Sequence, residues 1–313
     1  MKRTYDFNKI SIDAGFNPVQ IEKVLRISDI LENISSVPFM RKRLALYGGT
    51  ALAFVHFKEI ERLSVDIDFN YRHIDEEDWG DIRDQVDENL KVILYTLGYT
   101  DDNIKIDPSY SLNRFIVNYT NHTGRLDEIK IETGYMRRIP VLETDMEYDF
   151  YHIGTHNRFK IMTPVKEELF SNKWCTMLYR GSPKDLFDVY RIIDAPFDRE
   201  LFRTTAVIDS LTRKTPLTAI NHEQRIREIK FDSSLLNLLY TKHEFDEKEV
   251  HEKVIKFTQG VIDELSDDEV QLIETFYDKL EIDENITGKM NGLHNGIEDH
   301  PSIKWQIRQL SKQ

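Results

Sequence analysis

The run Ser64-Val65-Asp66-Ile67-Asp68-Phe69 reads as a buried strand in every respect but two. Aspartate is depleted in strands, and an ionised carboxylate among apolar side chains is costly unless something compensates it. Side chains alternate along a strand, so Asp66 and Asp68 share one face while Val65, Ile67 and Phe69 take the other. Two like charges about 7 Å apart, at about 3.4 Å of rise per residue, repel unless a cation lies between them. Paired hard oxygen ligands suit Mg2+ or Mn2+, and Mg2+ commonly takes one or two carboxylates together with a substrate's phosphates. A half-exposed edge strand with its polar face in water is the plainer alternative.

Just upstream, Gly48-Gly49-Thr50 follows the apolar run Leu44–Tyr47 and leads into Ala51-Leu52-Ala53-Phe54. That order predicts strand, glycine turn and helix, with main-chain N–H groups exposed where an anion can sit. A phosphate cradle beside a metal-binding carboxylate pair points to nucleotide chemistry. Thr50, at or next to the helix start, either donates its hydroxyl to a phosphate or simply caps the helix. Ser64 carries the same ambiguity, and Arg62 reads equally well as a solvated charge.

The chain has 313 residues, enough for one large or two ordinary domains, and 40% hydrophobic residues supply a sizeable core. No stretch approaches the roughly 18 apolar residues of a membrane span, and the N-terminal segment lacks the apolar region of a secretory signal. The single cysteine, Cys175, excludes an internal disulfide framework. The cytoplasm is therefore the expected compartment. Lys and Arg number 42 against 55 Asp and Glu, a net charge of −13 that argues against a protein coated in nucleic acid. Basic groups at Arg41-Lys42-Arg43, at Arg137-Arg138 and over 213–230 still permit a local contact with phosphates.

Asn17-Pro18 followed by Val24, Ile27, Leu31 and Ile34 predicts a capped amphipathic helix ending near Ser35. A polar helix is expected over 76–97, and residues 113–118 and 126–133 read as a hairpin joined at Asn121-His122-Thr123-Gly124. This half is mixed α and β. Beyond about Pro164 helical periodicity dominates, with helices expected over 164–180, 183–193, 199–211, 247–265, 267–280 and 302–310. The domains are placed at 1–155 and 156–313.

Further candidates follow from position. The strand 126–133 puts Glu128, Lys130 and Glu132 on one face, so a third carboxylate can complete the metal site or take a proton from an attacking hydroxyl. Glu132 is the first choice and Glu128 the fallback. Lys173 falls in register with Leu169, Phe170 and Met177 on an apolar helix stripe, where a lysine needs an anion, a cleft or a route to the rim. Asp185 sits where an acid suits the first turn after Ser182-Pro183, as a cap or as a catalytic group. Asp188 lies one turn deeper among apolar neighbours, where only an ion pair or a function explains it. Arg180 shares a face with Lys173 and can reach a phosphate. His152 and His156 have i,i+4 spacing but lack a helical setting, and a zinc site there is not expected.

The blocks Gly48-Gly49-Thr50-Ala51-Leu52 and Arg62-Leu63-Ser64-Val65-Asp66-Ile67-Asp68-Phe69, with the later segments EELFSNKW and KDLFDVY, resemble the AbiEii toxin family of nucleotidyltransferases. These belong to the DNA polymerase β-like superfamily and are the toxins of type IV toxin–antitoxin and phage-defence operons. The motif-bearing resemblance covers roughly residues 46–193. It implies an α+β fold, with a nucleotidyltransferase-type mixed sheet and flanking helices followed by a mainly α-helical C-terminal domain. It also implies that Asp66 and Asp68 hold divalent metal, that Gly48, Gly49 and Ser64 lie along the triphosphate, and that Lys173 and Asp188, with Asp185, complete the site from the helical half. Some relatives look like enzymes that add nucleotides to the 3′ end of tRNA and block translation. A nucleoside triphosphate, a tRNA acceptor and a cognate antitoxin are thus the expected partners. Lys184 stands where many relatives have Arg before Asp, a departure from the pattern. A protein or small-molecule acceptor, or a nucleotide-binding regulator without turnover, are the alternatives.

Overall fold

A computed structural model of the chain describes residues 3–73, 78–143 and 145–312. Contacts divide the chain into two units, one made of 1–138, 146–163 and 237–243, the other of 139–145, 164–236 and 244–313.

The first unit begins with helices α1 (Phe7–Ala14), α2 (Pro18–Ser36) and α3 (Pro38–Arg43). Asn17 caps α2 by accepting from the Val19 amide, and Pro18 occupies the first turn, where its missing N–H costs nothing. Ile21, Val24, Leu25, Ile27 and Leu31 of α2 are completely buried. Each such side chain contributes roughly 1.5–3 kcal/mol relative to exposure. Strand β1 (Leu44–Tyr47) is buried along its length and runs into α4 (Gly48–Ala51), which continues as a π-helical turn over Leu52–His56.

β2 (Ile67–Tyr71), α5 (Trp79–Thr96), β3 (Ile104–Pro108), β4 (Leu112–Thr120) and β5 (Leu126–Gly134) complete a five-stranded sheet in the order β1-β2-β5-β4-β3. β2 runs antiparallel to β1 and parallel to β5, so the sheet is mixed, as expected. Its buried face carries Ile67, Phe69 and Tyr71 from β2 with Ile129 and Ile131 from β5. The expected helix over 76–97 is observed as α5, while Asp75, Glu76 and Glu77 lie outside the described residues. β6 (Asp145–Tyr151) and β7 (Arg158–Pro164) pair as a separate two-stranded ribbon. The boundary placed at 155 falls inside this ribbon, because β7 pairs back onto β6.

The second unit is helical. It comprises α6 (Lys166–Arg180), α7 (Pro183–Ile192), α8 (Arg199–Ser210), α9 (His222–Arg227), α10 (Ser233–Leu236), α11 (Glu247–Asp263), α12 (Asp267–Lys279), α13 (Glu284–Thr287) and α14 (Pro301–Leu310). α6 is its centre, with polar and apolar positions alike buried, including Glu168, Ser171, Lys173, Trp174, Cys175 and Met177. Trp174 hydrogen-bonds Thr258 of α11 (3.0 Å), and Glu168 accepts both the Val141 and Leu142 amides. A helix buried on most sides must supply internal partners for every polar group it carries. Among the described residues no helix is long and apolar enough to cross a membrane.

Candidate active site

β1 ends at Tyr47 and the chain turns at Gly48, whose φ of +68° favours glycine. A second constraint acts on the same atom. A Cβ at Gly48 would lie 2.2 Å from Asp68 Oδ2, so the Asp68 carboxylate stands directly against the turn. At Gly49 a Cβ would meet Arg62 Nη2 at 2.5 Å and Ser64 Oγ at 2.9 Å. The two glycines thus make room for an acid on one side and for a guanidinium and a hydroxyl on the other.

The helix after the turn is shorter and less regular than the sequence suggests. α4 is a single turn with no side-chain cap, and it widens at once into the π-helical turn. A one-turn helix has little macrodipole, so the anion-binding capacity of this elbow lies in its main-chain N–H groups. Thr50 is neither a cap nor a solvent-facing donor. It is fully buried, and its hydroxyl donates to the Asp66 carbonyl. In this structure Thr50 braces the segment that carries Asp66.

Strand register shows which glutamate neighbours Asp68. Asp68 is level with Tyr47 on β1 and with Glu132 on β5, and Glu132 is level with Arg114 on β4. Level residues on neighbouring strands, about 4.8 Å apart, project to the same face. Glu132 is therefore the carboxylate beside Asp68, with its Oε1 accepting from Arg114 Nε at 2.7 Å. Glu128 is level with Asn118, about 13 Å further along the strand, and pairs with Lys130 at 3.1 Å. Asp68 and Glu132 stand side by side beside the elbow, with Asp66 just ahead of β2, and hard carboxylate oxygens of this kind suit Mg2+ or Mn2+.

The second unit holds a different constellation. Lys173 Nζ lies 3.0 Å from Asp185 Oδ1 and 3.2 Å from Asp188 Oδ2, and all three residues are buried. Arg180 adds a forked contact to Asp185, with Nε at 2.9 Å from Oδ2 and Nη2 at 2.8 Å from Oδ1. The neighbouring N-cap, Ser182, makes no side-chain cap hydrogen bond, and the Asp185 carboxylate is spent on cations. Burial alone would raise the Asp185 pKa, but Lys173 and Arg180 hold it below the usual carboxylate range.

The family follows from residues 29–281, which match the model described as Nucleotidyl transferase AbiEii toxin, Type IV TA system. The chain belongs to the AbiEii family. Its fold is similar to that of MenT4, a nucleotidyltransferase toxin of Mycobacterium tuberculosis, with a TM-score of 0.64, 14% identity, and 98% of this chain and 99% of that one covered. An antigenic nucleotidyltransferase-like protein of Paracoccidioides brasiliensis overlaps less, with a TM-score of 0.35, 16% identity, and 55% and 74% of the two chains covered. No curated protein matches the chain.

Several features of this AbiEii chain escape sequence reasoning. Arg62 is 6% exposed and packed on Gly49, not a solvated charge, and its Nη1 also donates to the Leu63 carbonyl (2.8 Å). Arg72, equally buried, donates to the Tyr47 hydroxyl (2.7 Å) and the Arg137 carbonyl, which fixes the end of β1 where the elbow starts. Only the Arg-x-Ser spacing ahead of Asp66 hinted at the first, and nothing local marks the second. Several cations of the basic run over 213–230 have partners within the fold. Arg213 pairs with Asp209, Arg225 caps the carbonyls of Leu178 and Tyr179, and Arg227 pairs with Glu223 and Glu252.

One further group could hold a cation: Asp29, Glu32 and His152, whose ligand atoms lie within 4.8 Å of one another. Arg3 Nη1 already bonds both acids there, and the Tyr5 hydroxyl donates to Asp29 at 2.8 Å. His152 Nε2 lies 3.3 Å from Asp29, from Arg3 Nη1 and from the Tyr5 hydroxyl, so with Arg3 on both acids this arrangement is an internal ion cluster. His156 turns instead to the Tyr151 hydroxyl at 2.6 Å, and the two histidines make no shared site.

Proposed function

We propose that this AbiEii protein transfers a nucleoside monophosphate from a nucleoside triphosphate to an acceptor hydroxyl, with the 3′ end of tRNA as acceptor, and so blocks translation in the cytoplasm. The observation that carries the reading is the Asp68 carboxylate seated against Gly48 with Glu132 level beside it. Such a cluster of like charges on one face suits a site whose ligand brings positive charge with it.

In the proposed reaction the acceptor oxygen attacks the α-phosphorus, the bond to the β-phosphate oxygen breaks, and pyrophosphate leaves. The hydroxyl proton passes to Glu132, whose carboxylate Arg114 orients. Main-chain N–H groups at Gly48 and Gly49, with the Ser64 hydroxyl beside them, bind phosphate oxygens. Mg2+ or Mn2+ held by Asp66 and Asp68 would supply charge neutralisation of attacking and leaving oxygens. Lys173 is proposed to neutralise the triphosphate, with Asp188 and Asp185 fixing its ammonium group and Arg180 assisting. Phosphoryl chemistry of this kind depends on positioning and charge more than on covalent participation.

The test incubates the protein with each α-labelled triphosphate and separate pools of tRNA, protein and small molecules. Label entering tRNA, with pyrophosphate released, is the expected result. Label entering only protein or a small molecule would move the acceptor, and triphosphate binding without pyrophosphate would make the protein a regulator.

A further inference from the structure

Within the first unit, away from the carboxylates, lies a cavity of about 430 Å3. Its walls come from α1 (Ile10 and Ala14), from the π-helical turn (Ala53 and Phe54) and from Ile153 after β6. Volume and lining fall in the range of small-molecule sites, which are mainly apolar with a few polar groups at the mouth. Here those groups are unbalanced in charge. Lys58, His156 and Arg158 line the cavity against a single acid, Asp13. Neither Lys58 nor Arg158 forms a salt bridge among the described residues, whereas nearby Lys160 is paired with Asp149 at 2.9 Å. Lys58 and Arg158 are both exposed at this mouth, where Asp13 is the one acid among the lining residues.

The mouth is also built rather than loose. The Arg158 guanidinium lies over the Tyr151 ring at 5.5 Å from its centroid, and the Tyr151 hydroxyl meets His156 Nδ1 at 2.6 Å. His156 takes a left-handed φ of 58°, uncommon for a residue with a side chain, and its amide donates to the His152 carbonyl. Held strain of this kind gathers at ligand clamps. On the opposite wall the π-helical turn is closed by the Phe57 amide donating to the Leu52 carbonyl at 2.8 Å, and isolated π-helical turns recur at functional sites.

We propose that this cavity binds a free amphipathic anion, a compact apolar body bearing one carboxylate, sulfonate or phosphate, with Lys58 and Arg158 taking the head group. The apolar body lies against Ile10, Ala14, Phe54 and Ile153, and its burial supplies most of the affinity. The head group selects by charge-assisted hydrogen bonds to the two cations. This site is independent of nucleotide transfer and stands whether or not that reaction is found.

The experiment is a fluorescence titration of the full chain with anilinonaphthalenesulfonate and with phenylnaphthylamine, the same aromatic body without the anion. Saturable one-to-one binding is expected for both, about tenfold tighter for the sulfonate, the factor one good charge contact provides. Dodecanoate should displace the sulfonate at about tenfold lower concentration than dodecanol does. The exposed double variant Lys58→Glu/Arg158→Glu should erase the preference while leaving the circular dichroism unchanged, and Ala14→Trp should remove both probes by filling the cavity. Equal affinity for the two probes, non-saturable binding, or a preference that survives the double variant would each overturn the proposal. So would binding to phosphatidylglycerol vesicles that the double variant abolishes, because the mouth would then serve a membrane surface and not a free ligand.

Discussion

The elbow of the first unit and the lysine cluster of the second solve opposite electrostatic problems. At the elbow, Asp68 and Glu132 stand level on neighbouring strands, with the Asp68 carboxylate against a glycine that has no room for a Cβ. In the second unit, two carboxylates share two cations at 2.6–3.2 Å in a buried setting. At the elbow two carboxylates stand side by side, with Arg114 on Glu132, and in the second unit a lysine is held between two buried acids. Carboxylates gathered at a glycine turn suit a metal-bearing ligand, whereas an ion-pair network within a helical core suits positioning or stability.

That contrast yields predictions that differ in kind. Asp68→Asn should lower nucleotide transfer by about a thousandfold or more, the scale of losing a principal electrostatic group, with the thermal midpoint changed by only a few degrees. Lys173→Met should behave otherwise. It removes the ammonium shared by the buried carboxylates of Asp185 and Asp188 and should destabilise the fold by about 3–5 kcal/mol in urea unfolding. If Lys173→Met leaves stability intact, the second cluster is not a structural network and the comparison fails.

The acid limb of stability sharpens the same distinction. Asp185 has a lowered pKa in the folded protein, so its contribution is fully present above the ordinary carboxylate value of about 4 and is lost as pH falls through the folded value. Wild-type stability should therefore drop on acidification below about pH 4, and Asp185→Asn, weaker at neutral pH, should show a shallower drop. The smallest effect belongs to Thr50→Val. Losing one buried hydroxyl donor to the Asp66 carbonyl should cost about 1 kcal/mol and reduce kcat more than it raises KM.

Much of this was legible beforehand because it depended on local pattern. The strand with Asp68, the glycine turn, the hairpin and the helix bearing Lys173 each follow from alternation, helical period or turn chemistry, whereas β2 begins at Ile67 and leaves Asp66 in the segment ahead of it. What was not legible depends on pairing. Which of Glu128 and Glu132 neighbours Asp68 is decided by the parallel register of β2 and β5, and a shift in register would change the answer. Thr50 and Arg62 are hidden for a similar reason. Their roles come from close packing between the elbow and the segment ahead of β2, which no periodicity encodes. For the basic run over 213–230, sequence could not show that Arg213 and Arg227 face acids in space.

The most direct test of the carboxylate elbow is calorimetric titration of Mn2+ into the protein with a non-hydrolysable triphosphate present, for wild type and for Asp66→Asn/Asp68→Asn. Saturable metal binding that requires the triphosphate and disappears in the folded double variant is the expected result. Equal Mn2+ affinity in the two proteins would contradict it.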